Sequence, residues 1–101
     1  MEQQYMRVYK NMIKDFGVGV ATLFGALLNT YSYAQSRYKV YDGFFYAPTE
    51  FLHDFLGLAR KTQVKYLNVL IDAGLIEVKY YGMPQRRMVK INNLESYHLE
   101  T

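Results

Sequence analysis

The spacing of apolar positions changes along the chain, and each change marks an element. From Val18 to about Ser36, the residues Val20, Leu23, Phe24, Leu27, Tyr31 and Ala34 recur at intervals of three and four. That spacing predicts a long amphipathic helix. Its other side is only weakly polar, with Val18, Ala21, Thr22, Gly25, Ala26, Asn29 and Tyr33. Such a helix is expected to be covered on two sides, the second cover being the amino-terminal arm, the carboxyl tail or, preferably, another subunit. From Pro48 to Leu56 a shorter helix is predicted, with Leu52, Phe55 and Leu56 on one face. Gly57 suits its end because glycine takes positive φ. A third helix runs from Arg60 to about Ala73 and stops at Gly74. Its apolar stripe reads Val64, Leu67, Leu70 and Ile71, and Lys61, Lys65, Asn68 and Asp72 form a polar row on the opposite side.

Elsewhere the period shortens. Tyr5 to Tyr9 alternates as a short strand or an arm would, and Met12, Ile13 and Phe16 are expected to pack on the core, leaving Lys10 and Lys14 solvated. Asp42-Gly43 is a turn signal, and Phe44 to Ala47 is expected to form a short strand beside a later hairpin. The aromatic residues of this loop read mainly as packing residues; Tyr38, Lys39 and Tyr41 are those that would meet a sugar–phosphate backbone. The hairpin itself consists of Leu75–Tyr81 and Arg86–Ile91, joined by Gly82-Met83-Pro84-Gln85. With Tyr81 facing Arg86, Ile76 pairs with Ile91, Val78 with Val89 and Tyr80 with Arg87 on one face. Glu77 then meets Lys90, and Lys79 meets Met88, on the other. This register gathers the aliphatics and sets opposite charges across the ladder.

Two helices joined by a few residues around a glycine make a helix-turn-helix, and a basic hairpin directly after it makes a wing. The run Thr62-x-x-x-x-Leu67-x-x-Leu70-x-x-x-Gly74-Leu75-Ile76 resembles the winged helix-turn-helix superfamily. Across nearly the whole chain the sequence resembles small DNA-binding proteins of plasmids and other mobile elements. These include the amino-terminal domains of plasmid replication initiators and the accessory protein that binds the transfer origin of conjugative plasmids. The resemblance implies an α+β winged helix-turn-helix domain over residues 1–101, with about three main helices and a β-hairpin wing. It implies sequence-specific binding of double-stranded DNA in a plasmid transfer origin as a conjugation accessory factor. Because one monomer reads only a few base pairs, and the first helix and tail offer apolar surface, a homodimer meeting repeated or palindromic half-sites is expected. The alternatives are a replication-initiator-like or transcriptional regulator domain, with other transfer or replication proteins as partners. One departure is Ala59, where many relatives place Ser or Thr as N-cap; this weakens the helix start by about 1 kcal/mol.

Charge agrees with the DNA reading. The whole chain carries a net +3, but Arg60–Ile91 holds seven basic residues against Asp72 and Glu77, a local +5. Phosphate contacts are expected from Arg60, Lys61 and the wing. Base readout is expected from Lys65, Asn68, Gln85, Arg86 or Arg87, because Arg suits guanine and Asn suits adenine. The wing is expected to dominate: Lys79, Gln85, Arg86 and Arg87 meet at one tip, and Tyr80 is placed to stack on Arg87. The bland reading is that these charges only solvate a helix and a hairpin. A different class, a protein–protein module, is favoured by eleven tyrosines, which would supply interface contact, and by Tyr66 and Val69, expected to be exposed on the third helix.

Other chemistry finds little support. The chain has no Cys and two His, without metal-ligand spacing. No phosphate loop, dinucleotide fingerprint or nucleophile elbow occurs, so neither an enzyme nor a cofactor is expected. Without a signal peptide or a membrane-length apolar run, a cytoplasmic protein with no membrane partner is expected.

Overall fold

The computed structural model describes residues 8–93. The described residues form four helices and a three-stranded antiparallel sheet: α1 (Lys10–Phe16), α2 (Val18–Ser36), β1 (Phe44–Tyr46), α3 (Thr49–Leu56), α4 (Arg60–Asp72), β2 (Ile76–Tyr81) and β3 (Arg86–Ile91). This α+β arrangement is compatible with the winged helix-turn-helix expected. Residues Tyr5 to Arg7, and Leu94, Tyr97, His98 and Leu99 of the tail, lie outside the described residues.

Gly17 joins α1 to α2 with no linker. Its N–H donates to Ile13 O, closing α1, and its carbonyl accepts from the Ala21 N–H, opening α2. Its φ of 89° and ψ of 166° fall in a region open essentially to glycine alone. Folded back in this way, α1 buries Met12 against α2. The remaining faces of α2 pack on α4 and β1, so Leu23, Phe24, Ala26 and Leu27 are fully buried. Ala21, Gly25 and Ala26 of its weakly polar side are thus covered within the chain, whereas Val18 and Tyr33 remain 64% and 62% exposed.

The sheet has the order β1-β3-β2. Every pair expected in the hairpin is observed, from Tyr81 with Arg86 to Ile76 with Ile91. The expected short strand pairs with the hairpin too, Phe45 lying opposite Val89. Asp42 and Gly43 form the turn before it with φ of 52° and 85°, and Tyr41 and Phe44 exchange both backbone hydrogen bonds around them. Positive φ at both central residues is the two-residue hairpin turn that Asp-Gly favours. Inward residues of the sheet, Phe45, Ile76, Val89 and Ile91, close the core beneath α2 and α4.

The orientation of α4 differs from the expected one. Gln63, Leu67 and Leu70 are its buried positions, whereas Val64 and Ile71, placed in the apolar stripe, are 39% and 38% exposed. Tyr66 and Val69, expected outside, are half-buried against the core. Gly19 permits this approach, since a Cβ there would lie 2.6 Å from the Tyr66 hydroxyl oxygen. The buried Gln63 amide is the reason for the turn of the helix. It finds three partners inside and would have to leave all three to reach solvent.

Candidate nucleic-acid interface

The two helices expected to form a helix-turn-helix are α3 and α4, joined by the turn Gly57–Ala59. Gly57 ends α3 with φ 73° and ψ 14°, its N–H donating to His53 O. Ala59 caps α4 without any side-chain hydrogen bond, as its methyl group requires. The turn is held instead by Gln63, whose Nε2 donates to Leu58 O at 2.9 Å and to Thr49 O at 3.0 Å. One buried amide thus fixes the start of α3, the turn and the first turn of α4 together. This compensates for the missing cap.

On the outside of α4 the expected polar row is exposed. Lys61, Lys65, Asn68 and Asp72 face solvent with Arg60, and Val64 and Ile71 lie among them. Two lysines and an amide interspersed with two aliphatic tips make a surface suited to phosphates, base edges and thymine methyl groups.

The hairpin residues divide. Gln85 and Arg86 are exposed at the tip, and Lys79 is exposed on β2. Arg87 was expected to reach DNA but is 5% exposed. Its Nε donates to Ala47 O at 2.8 Å and its Nη2 to Gln63 Oε1 at 2.8 Å. The cause is the register. Arg87 shares a face with Val89 and Ile91, and that face is turned to the core. The guanidinium is spent on holding β3 to α4, and Tyr80 is left across the strand as its neighbour. Burial lowers the Arg87 pKa, as does the nearby Arg60 charge, while Tyr80, Glu50 and Tyr46 act in the opposite direction.

Arg60, Gln85 and Arg87 line a groove of about 320 Å³ together with Thr49, Glu50 and Tyr46. Lys79 and Arg86 instead lie with Tyr41, Phe44 and Tyr81 on the opposite, outer face of the sheet. The expected site is thus two surfaces, one centred on α4 and one on the outer face of the hairpin.

Gln63 is the residue that periodicity of apolar side chains overlooks. A signal was present: it stands four before Leu67 and seven before Leu70, at a core position. Arg87 carries the equivalent signal in the strand, two before Val89 and four before Ile91.

No family model matches the sequence, and no curated protein matches it. The fold is similar to that of a chain from a Rep–DNA complex, with a TM-score of 0.72 and 13% identity over 98% of this chain and 92% of the other. It is also similar to the N-terminal domain of a DNA-binding protein, with a TM-score of 0.71 and 13% identity over 98% of this chain and 91% of the other. The chain shares its fold with these two proteins. Among the described residues, no helix is long and apolar enough to cross a membrane.

Proposed function

We propose that this protein binds double-stranded DNA in a sequence-specific manner, with α4 in the major groove and the hairpin tip on the flanking backbone. The observation that carries this reading is the outer face of α4. Lys61 and Lys65 stand a turn apart with Asn68 following, no acid between them, and the helix is locked from behind by Gln63 and Arg87. In this arrangement Arg60, Lys61 and Lys65 hold phosphates, and Asn68 reads a base, adenine being its natural partner. Gln85, which lines the groove with Arg60, extends the contact at the hairpin tip. With Arg87 withdrawn, α4 and the tip share the work, and the hairpin no longer stands out as the main contact.

Similarity to the chain of a Rep–DNA complex supports a role of the replication-initiator kind. The resemblance to the transfer-origin accessory protein of conjugative plasmids carries the second role, binding at a plasmid transfer origin. A homodimer meeting repeated half-sites suits both, because one α4 reads only a few base pairs. Tyr66 and Val69 are half-buried against the core, which removes one of the grounds for the protein-assembly reading.

Selection of bound duplexes from a random library, followed by affinity measurement over a range of salt, tests the proposal. The expected result is one enriched motif, with binding that weakens steeply as salt rises. Absence of any enriched motif would refute sequence-specific binding. Sedimentation of the protein with and without its selected duplex tests the dimer, which monomer alone at tens of micromolar would exclude.

A further inference from the structure

The outer face of the sheet is turned away from α4 and is not covered by any described element. Along it runs a trough of about 330 Å³ lined by the aromatic residues Tyr41, Phe44 and Tyr81 and the basic residues Lys79 and Arg86, with Asp42 and Met88 completing the walls. The tyrosines are open to solvent, Tyr41 by 64% and Tyr81 by 52%. Lys79 Nζ lies 4.9 Å from the centre of the Phe44 ring, and the Arg86 guanidinium lies 5.9 Å from that of Tyr46. Lys90 pairs with Glu77 at 4.0 Å; Lys79 and Arg86 are in no described ion pair, and they outnumber Asp42, the one acid lining the trough. Tyr46, on the same face, is 45% exposed, so three tyrosine rings are available for stacking there.

We propose that this face binds single-stranded DNA. An aromatic ring beside a cation suits a base stacked on the ring with its phosphate on the cation, and stacking tolerates any base. A duplex cannot make the same contact, because its base faces are already stacked on each other. A protein partner would be drawn by apolar area, but here Lys79 and Arg86 share the trough with the tyrosines and lie against the rings of Phe44 and Tyr46, which favours a polyanion. The choice of DNA as the strand's source rests on the duplex-binding reading above. The two surfaces then divide the work: α4 holds a duplex site, while the outer face takes a strand opened near it.

The test uses the full chain and a labelled oligothymidine of about 12 nucleotides, close to the span of a comparable sheet platform. Wild type, Tyr41→Ala/Tyr81→Ala, Tyr81→Phe and Lys61→Ala/Lys65→Ala are compared by anisotropy at low salt. Each is also measured on a mixed-sequence duplex. Both tyrosines are exposed, so unchanged thermal unfolding of the alanine pair is expected and is checked first. The alanine pair should weaken oligothymidine binding by about tenfold or more, with duplex binding within about twofold of wild type. Tyr81→Phe should bind like wild type, and the lysine pair should lose duplex binding while keeping the single strand. The proposal is overturned if wild type does not bind oligothymidine, or if the alanine pair binds it normally. It is also overturned if both ligands weaken together, or if oligouridine of equal length binds more tightly. Failure of the duplex arm alone would sink the proposed function and leave this surface standing.

Discussion

Arg87 and Gln63 meet inside the protein, Nη2 donating to Oε1 at 2.8 Å, and so tie the last strand to the helix that carries Asn68. The same guanidinium also donates to Ala47 O, and the same amide holds Thr49 O and Leu58 O. Strand, turn and helix share one polar knot. Removing either residue leaves polar partners inside the fold without their hydrogen bonds, and each such buried group costs about 1–3 kcal/mol.

Arg87→Ala and Gln63→Ala are therefore expected to destabilise the fold by about 2–4 kcal/mol each. The double variant should cost clearly less than the sum, with a coupling of about 1 kcal/mol or more. Urea unfolding of the four proteins measures this. Strict additivity would show that the two side chains act independently. Arg86→Ala, one residue away but exposed, should leave stability within about 0.5 kcal/mol and affect only DNA binding.

On the outer face of α4, Asn68→Ala should relax sequence preference at one position, at a cost of about 1–3 kcal/mol. Lys61→Ala and Lys65→Ala should weaken binding evenly across sequences, each reducing the salt slope by about one. Competition binding with single-base variants of the selected duplex separates the two behaviours. An Asn68→Ala protein with unaltered preference would take base reading away from this position.

Gly17→Ala should destabilise the protein by about 1–3 kcal/mol, because the backbone at this junction lies where only glycine rests without strain. In a domain of this size the melting temperature should fall by about 4–8 °C per kcal/mol. An unchanged melting temperature would mean that α1 detaches from α2 without consequence.

The hairpin and the helix ends were legible without the fold, because local rules decide them. Alternation along Ile76–Tyr81 and Arg86–Ile91 permits one register that joins aliphatics to aliphatics, and a slip by one residue would reverse both faces. Gly57 and Gly74 end their helices by backbone freedom alone. The long α2 and its apolar rows are fixed in the same way.

Tertiary structure alone decided which polar side chains go inside. The apolar pattern of α4 places Val64 inward, but the core receives Gln63, because carbonyls of Thr49 and Leu58 and the guanidinium of Arg87 converge there from three other segments. A buried amide is favourable only where such partners meet it, and the chain cannot announce that meeting in the residues next to Gln63. For the same reason the charge of Arg87 counts as a DNA contact in the sequence and as a structural tie in the fold. Charge composition gives the sign of a surface, and packing determines which charges reach it.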